Sequence, residues 1–157
     1  MKENWQRAFG QMTNGIYVLT SRHGKDINGM IASWATQVSH APPLIAAAVH
    51  PNRYSHALIE KSKSFALHVV PHTRPEIMDR MMGPDPAVKF AGILWEPGQT
   101  GCPVIKDCLA WFECRVTHQL KPGNHTLFIG QVVNAGVESS GRPLCTFDCT
   151  GLYVGKA

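Results

Sequence analysis

The chain has 157 residues, which is enough for one domain with a sizeable core. Charged residues make up 17% of it, below the ~25% typical of globular domains, and 14 glycines and 11 prolines favour a turn-rich, largely β fold. The net charge of +4 is not gathered into a Lys/Arg stripe, and no apolar run approaches the ~20 residues that cross a bilayer. We therefore expect neither a nucleic-acid partner nor a membrane partner.

The N-terminal stretch lacks the apolar segment of a secretion signal, and the cysteine count is odd, at five. An odd count indicates free thiols, as in a reducing compartment, rather than a disulfide framework. No two cysteines have CxxC spacing, and the histidines show no ligand pairing on a helix. These observations predict a cytoplasmic protein without a metal site.

The first half of the chain predicts a helix followed by alternating strands and short helices. Trp5, Phe9 and Met12 share one face of a helix that Asn14-Gly15 would end. The segment 44–49 is apolar on both faces and is typical of an inner strand. The other predicted elements are strands over 16–21, 28–37 and 65–70, and helices over 53–61 (with Asn52 as N-cap), 75–82 and 86–89.

The second half alternates with the period of two that β-strands show. A strand over 110–119 carries Glu113 on its polar face, and a turn at 121–124 joins it to a return strand whose apolar face comprises Leu127, Ile129, Val133, Ala135 and Val137. Six or more strands with short helical insertions predict a mainly β protein, a closed antiparallel barrel that forms a single domain over residues 1–157.

The segment from Asn28 to Trp34 begins with a glycine step and continues with small side chains. Gly29, Ala32 and Ser33 would let a flat ligand approach the backbone and reach its N–H groups. The same composition also suits a tightly packed barrel strand. By itself the segment does not choose between these two interpretations.

Three residues have the chemistry of a phosphate site. Arg53 and Ser55 stand at the start of a predicted helix, where backbone N–H groups and a guanidinium favour an anion. Lys89 lies one turn from another helix start and has the reach to meet the same anion. An ordinary capped helix and two solvated charges are the alternative.

His125 begins a strand directly after a Pro-Gly-Asn turn, which places it at the rim of the predicted barrel. A histidine there can bind a ligand or titrate near neutral pH, and it can equally be an idle surface residue. Standard nucleotide loops, a nucleophile elbow and a carboxylate pair are all missing from the sequence.

Taken together, these segments resemble the flavin reductase-like family, the FMN-binding split barrels. The resemblance covers nearly the whole chain and rests on six short pieces in the same order. They are residues 8–20, 28–34, 42–45, 52–60, 89–92 and 123–130. The family implies a Greek-key split barrel with short helical insertions, FMN as cofactor, and a homodimer with the cofactor near the subunit interface.

The resemblance also implies roles for particular residues. The FMN phosphate would lie near Arg53, Ser55 and Lys89, and His125 would contact the flavin or the incoming nicotinamide. The flavin ring would lie beside a further set of residues: Asn28, Met30, Ala32, Ser33, Trp34 and Tyr153. No protein residue is required as a catalyst, because the cofactor carries the hydride chemistry.

The implied function is an NAD(P)H-dependent reductase that passes electrons from FMN to free flavin, a rubredoxin-like protein or an iron centre. Asn124 and Gln131 depart from the family pattern, which often has acids there, and this leaves a non-catalytic FMN electron carrier as an alternative. A barrel module that has lost flavin and binds another ligand is a third hypothesis.

Overall fold

Seven antiparallel strands form one continuous sheet in the computed structural model of the protein, which describes residues 2–149. The sheet strands are β1 (Tyr17–His23), β2 (Asp26–Ala32), β3 (Ala35–Ser39), β4 (Leu44–Val49), β5 (Ser64–Val69), β8 (Ala110–Leu120) and β9 (Thr126–Val137). Two further strands, β6 (Trp95–Pro97) and β7 (Pro103–Ile105), form a separate hairpin. The helices are α1 (Lys2–Phe9), α2 (Tyr54–Ser62), α3 (Glu76–Met82) and α4 (Pro86–Lys89), and a 3₁₀ turn covers Thr146–Asp148.

The sheet closes on itself because its two outermost strands are joined by a very short link. The strand order is β2-β1-β5-β8-β9-β4-β3, so β2 and β3 lie at opposite ends of the hydrogen-bonded ladder. Only Ser33 and Trp34 separate them along the chain. Because two residues span only about 10 Å, the sheet must curl until its ends meet. The result is a barrel with a split between β2 and β3, which we call the seam.

The barrel has apolar residues on both sides of its wall. Leu19, Phe65 and Phe128 are fully buried in the cluster that also includes Ile59 of α2. The neighbouring residue Val18 faces a second cluster, in which helices α3 and α4 cover the outside of β1 and β2. Since successive side chains of a strand point to opposite faces, strands covered on both sides read as continuous apolar runs. The expected mainly β, antiparallel barrel is thus observed.

Most predicted elements are present, but the predicted strand 28–37 is two strands. Residues 33 and 34 leave the ladder where β2 ends, since the chain crosses the seam there. The predicted N-cap of α2 was also wrong. Arg53 occupies the cap position without a side-chain cap hydrogen bond, while the Oδ1 atom of Asn52 lies 2.7 Å from Nδ1 of His50.

The prediction for the β8–β9 hairpin placed two faces wrongly. Glu113, assigned to a polar outer face, is fully buried, because the β6–β7 hairpin and its loop cover that face. Its carboxylate accepts hydrogen bonds from the backbone N–H groups of Gln99 and Thr100, from the Thr100 hydroxyl and from the Asn134 amide. Burial alone would raise the pKa of Glu113, but these hydrogen bonds outweigh it and lower the pKa.

On β9 the buried set is Thr126, Phe128 and Gly130, whereas the predicted apolar face points outward. Val133 and Val137 on that outward face are exposed. Exposed apolar residues also mark α1, where Trp5 and Phe9 have no cover. Among the described residues, no helix is both long and apolar enough to cross a membrane.

His68 on β5 is a buried histidine whose two ring nitrogens are both engaged. Its Nδ1 lies 3.0 Å from the carbonyl oxygen of Val18, and its Nε2 accepts the N–H of Ile105 at 3.1 Å. This pairing suits the neutral ring that carries its proton on Nδ1. Burial lowers the pKa of His68 to about 4.

We predict that His68 makes the fold less stable in mild acid. The unfolded chain takes up the proton with an ordinary pKa near 6.5, whereas the folded chain resists protonation until about pH 4. The unfolded state therefore binds more protons in between, and the free energy of unfolding falls by about 3 kcal/mol as the pH drops through this window. Urea unfolding across this pH range, for the wild type and His68→Gln, measures the effect. An equally steep loss in the variant would contradict the assignment.

Candidate functional site

Three side chains from separate elements meet at the edge of β2. Asn28 of β2 donates through Nδ2 to the Ser55 hydroxyl of α2 at 2.9 Å. Lys89 of α4 donates through Nζ to Oδ1 of Asn28 at 3.2 Å and to the carbonyl oxygen of Gly29 at 2.7 Å. All three side chains are buried, with Lys89 only 6% exposed. We call this cluster of Asn28, Ser55 and Lys89 the anion node.

Local sequence explains how the two helices reach this point. Asp85 caps α4 by accepting the N–H of Ala87 at 3.0 Å, and Pro86 fixes the first helical residue. Lys89 follows within the same turn and extends across the edge of β2. The backbone of Arg53 is extended, and α2 begins at the next residue. Ser55 therefore falls in the first turn of α2, where backbone N–H groups lack helical hydrogen-bond partners.

The electrostatics of the anion node favour a negatively charged ligand. Burial lowers the pKa of Lys89, and the positive charge of Arg53 lowers it further. The hydrogen bonds of Lys89 within the described chain go to neutral oxygen atoms, not to a carboxylate. A buried ammonium within the field of a second cation is costly unless an anion joins it. An anion bound here would meet two positive charges, a hydroxyl and the start of a helix.

A second cluster lies at the seam and is built from aromatic rings. The ring centroids of Trp34 and His125 are 4.8 Å apart, and those of His50 and His125 are 5.1 Å apart. Nδ1 of His125 lies 2.8 Å from Oδ1 of Asn124. Burial lowers the pKa of His125, and the nearby His50 and Arg53 lower it further, which keeps this imidazole neutral at neutral pH.

Ser33, in the seam itself, is buried and its hydroxyl has no hydrogen-bond partner within the part of the chain that the structure describes. A buried hydroxyl without a partner costs roughly 1–3 kcal/mol. Its neighbours Met30 and Ala32 belong to β2, an outermost strand of the ladder whose outer side is not paired to another strand. The seam therefore offers polar groups that a bound ligand would satisfy.

The anion node and the aromatic cluster belong to one region of the surface. Arg53 influences the pKa of both Lys89 and His125, so its guanidinium lies within electrostatic range of each. The structure thus joins Asn28, Ser55 and Lys89 in the anion node and Trp34 with His125 at the seam, and Arg53 is linked to both groups by its charge alone. Tyr153 lies outside the described residues.

Sequence reasoning missed several residues that shape this region. His50 packs on His125, and Gly29 contributes its carbonyl oxygen to Lys89. His56 of α2 places its Nε2 atom 2.8 Å from the Thr126 hydroxyl of β9, which ties the helix of Ser55 to the strand that follows His125. His50 stands two residues before Asn52, close in sequence to the predicted phosphate residues, so it could have been considered from the sequence. The contact between His56 and Thr126 joins residues 70 apart, and no short sequence pattern indicates it.

An apolar groove of about 590 Å³ begins at Trp34. It runs between α1, the outer surface of β3 and β4, and the 3₁₀ turn, and exposed Phe9, Met12 and Phe147 are among its lining residues. Contiguous apolar surface of this kind is uncommon on a monomer and marks a site of interaction.

The closed sheet and its seam define a split barrel, with the anion node and the aromatic cluster as its candidate binding residues. Residues 9–152 match the flavin reductase-like domain, and the chain belongs to this family. The resemblance seen in the sequence is therefore confirmed. The chain is a flavin reductase-like domain, of the kind found in flavin reductases and in larger flavoproteins.

The chain is 31% identical over 139 residues to a protein named "Probable flavin reductase" from Rhizobium meliloti, covering 85% of this chain and 44% of that protein. It is 29% identical over 142 residues to the high molecular weight rubredoxin of Moorella thermoacetica, covering 88% of this chain and 62% of that protein. The chain thus spans less than two thirds of each of these relatives.

Among solved structures, the chain superposes on an NADH:FAD oxidoreductase from Streptomyces globisporus, solved with NAD and FAD fragments. The TM-score is 0.83 at 26% identity, and the match covers 92% of this chain and 87% of the other. The two chains therefore share the same fold over most of their length.

Proposed function

We propose that the protein is an FMN-binding oxidoreductase that accepts hydride from NADH or NADPH and passes electrons to an acceptor. The observation that carries the proposal is the anion node, where the hydrogen bonds of buried Lys89 within residues 2–149 go to neutral oxygen atoms and the charge of Arg53 lowers its pKa. A phosphate monoester supplies the missing negative charge. In this proposal the whole chain works as a single flavin-binding domain.

The flavin ring would lie along the seam, against the backbone of Met30, Ala32 and Ser33. Two observations support this placement. The Ser33 hydroxyl lacks a partner within residues 2–149, and Trp34 with His125 presents ring faces beside it. A flavin ring supplies both an apolar face for such rings and polar atoms along its edge.

When bound, the flavin supplies the hydride and electron chemistry, and the protein binds and orients it. Lys89 and Arg53 would neutralise the phosphate, and Ser55 with Asn28 would fix its position by hydrogen bonds. Backbone N–H groups at the seam would stabilise negative charge on the ring edge. Neutral His125 would contact the flavin or the nicotinamide without adding charge, because its pKa is lowered by burial and by its cationic neighbours.

The acceptor of the electrons is free flavin, a rubredoxin-like protein or an iron centre. Similarity to a protein named as a flavin reductase supports the first, and similarity to a high molecular weight rubredoxin supports the second. The rubredoxin similarity also favours a second candidate function, an FMN electron carrier without NAD(P)H activity of its own. We assign the activity to the cytoplasm, where nicotinamide cofactors abound and the five free thiols would stay reduced.

We also propose that two copies of the chain form a homodimer through the apolar groove. The groove is apolar and begins at Trp34, so a second copy would cover the exposed aromatic rings and help enclose the proposed ring site. The outward apolar face of β9, with Val133 and Val137, would add to the same interface or to its edge.

Loss of the Ser55 hydroxyl or of the Lys89 ammonium should weaken FMN binding, because both groups would contact the phosphate. Ser55→Ala and Lys89→Ala each remove a hydrogen-bonding or charged partner, and we expect each to cost about 1–3 kcal/mol, roughly a 5- to 150-fold rise in Kd. The double variant should fall short of additivity, since both residues contact Asn28. Fluorescence titration of the apoprotein measures this.

Riboflavin, which lacks the phosphate, serves as the matched ligand and should bind all variants with similar affinity. Lys61→Ala, an exposed lysine in the last turn of α2, is the control for a general loss of positive charge. If FMN and riboflavin lost affinity equally in the node variants, the phosphate would have to bind elsewhere.

Anaerobic titration of the FMN-loaded protein tests the hydride donor. We expect NADH or NADPH to bleach the visible absorbance of the oxidised flavin and to sustain turnover with added free flavin. An electron carrier would keep its absorbance with both nucleotides and lose it on addition of a reduced rubredoxin-type protein. Absence of any flavin binding would refute both functions.

Sedimentation equilibrium tests the dimer. The wild type should have twice the 17.3 kDa mass of the chain. Phe9→Glu places a charge in the proposed interface, and because a buried unpaired charge is costly, this variant should sediment as a monomer. Val88→Glu, at an equally exposed residue of α4, should stay dimeric. A monomeric wild type, or two variants that behave alike, would overturn the proposed interface.

A further inference from the structure

The acidic residues of the chain are distributed very unevenly. Of the 11 Asp and Glu residues, Glu60 is the only one within the segments 27–75 and 114–137. These two segments form β3, β4, α2, β5 and β9, together with most of β2 and β8. Four exposed basic residues belong to the same segments, namely Lys61, Lys63, Arg115 and Lys121. One region of the fold therefore has a mainly positive surface.

Glu60 lies at the centre of this region, and two of the basic residues come near its carboxylate. Gln119 donates through Nε2 to Oε1 of Glu60 at 2.9 Å, which joins α2 to β8. This hydrogen bond lowers the pKa of Glu60, and the charges of Lys121 and Lys63 lower it further. Lys63 and Lys121 are therefore neighbours in space, although one follows α2 and the other follows β8.

The other two basic residues adjoin this pair. Lys61 lies in the last turn of α2, and Arg115 of β8 pairs with Ser64, the residue that follows Lys63. We call the four exposed residues Lys61, Lys63, Arg115 and Lys121 the basic face. Because its members come from two distant parts of the chain, no continuous run of basic residues marks it in the sequence.

The cations of the basic face differ from other cations of the protein because they lack carboxylate partners. None of the four forms an ion pair within residues 2–149. In the loops near the other end of β5, by contrast, Arg74, Lys106 and Arg142 each pair with at least one carboxylate. Since unpaired like charges repel one another, a negatively charged partner surface would stabilise the basic face.

The basic face continues toward the aromatic cluster at the seam. Burial lowers the pKa of His56, and the charges of Lys121 and His50 lower it further, so both lie within electrostatic range of this buried ring. His50 in turn packs on His125, a member of the aromatic cluster. Leu120, directly before Lys121, adds an exposed apolar side chain. A partner seated on the basic face would therefore lie beside the proposed ring site.

We propose that the basic face is the docking surface for a redox protein whose own surface is acidic. This inference rests on the proposed function, because such a partner would take its electrons at the seam. Weak electron-transfer contacts bury less than about 1,200 Å², and complementary charge gives them speed and orientation. The apolar groove is lined by none of the four cations, so docking and dimer formation are compatible.

Surface plasmon resonance tests the proposal, with an immobilised acidic rubredoxin as the probe and the protein in solution with excess FMN. We expect the association rate constant to fall about tenfold as salt rises from about 20 mM to about 500 mM. The double variant Lys61→Gln with Lys121→Gln should associate about fivefold more slowly at low salt, because two steering charges are lost. Replacement of the same two lysines by arginine keeps both charges and should preserve the wild-type rate constant.

The matched control is the double variant Arg74→Gln with Arg142→Gln. It removes the same charge from exposed residues that already have carboxylate partners, and it should associate within about twofold of the wild type. An association rate constant that does not depend on salt, or an equal loss in the two glutamine double variants, would overturn the docking surface.

Two further probes and a flavin titration complete the test. A basic cytochrome should not bind, and association as fast as that of the rubredoxin would refute charge complementarity. Tighter binding of a short DNA duplex than of the rubredoxin would assign the basic face to nucleic acid and overturn the proposal. If FMN binds but the rubredoxin does not, the inference fails while the proposed function stands. If the rubredoxin binds but FMN does not, the role in electron transfer is refuted.

Discussion

The two-residue link between β2 and β3 is the constraint on which the rest of the structure depends. It joins strands at opposite ends of a seven-stranded ladder, and so it forces the sheet to curl into a barrel. Within the described residues the two end strands share no ladder, so the barrel has an open seam at this link. Of the two residues of the link, Trp34 is exposed, whereas the Ser33 hydroxyl is buried without a hydrogen-bond partner among the described residues.

Helices α2 and α4 contribute to the candidate site because each packs beside β2. Helix α2 is held by His56 against Thr126 and by the buried residue Ile59, so that its first turn lies beside β2. Helix α4 is a single capped turn, yet it directs Lys89 across the strand edge. Neither helix carries a complete site. The candidate site exists because barrel closure brings β2, α2 and α4 to one point, where a bound anion would stabilise the buried lysine.

The surfaces around the site differ in character, and each suits a different contact. Toward Trp34 the surface is an apolar groove with exposed aromatic rings, which suits another protein surface. Toward Tyr54 it is a smaller aromatic cleft with a polar edge, which suits a small molecule.

The sequence by itself determined the local elements and the chemistry of the candidate residues. Alternation along β8 and β9, the Asp85-Pro86 cap and the apolar run of β4 each predict their element, because period and capping depend on neighbouring residues. The same dependence on neighbouring residues explains why certain residues could be proposed for the site. Arg53, Ser55 and Lys89 stand at helix starts, and His125 follows a turn, and these features are all visible in short windows.

Only the tertiary structure decided which faces are buried and which residues meet. Glu113 looks like a surface residue until a distant hairpin covers it, and the apolar face of β9 looks buried although it points outward. Asn28 and Lys89 are 61 residues apart, and no local pattern records their hydrogen bond. Burial and contact are set by the closure of the whole sheet, which depends on strand pairings far apart in sequence. For this reason the residue types of the site were readable from the chain, and its geometry was not.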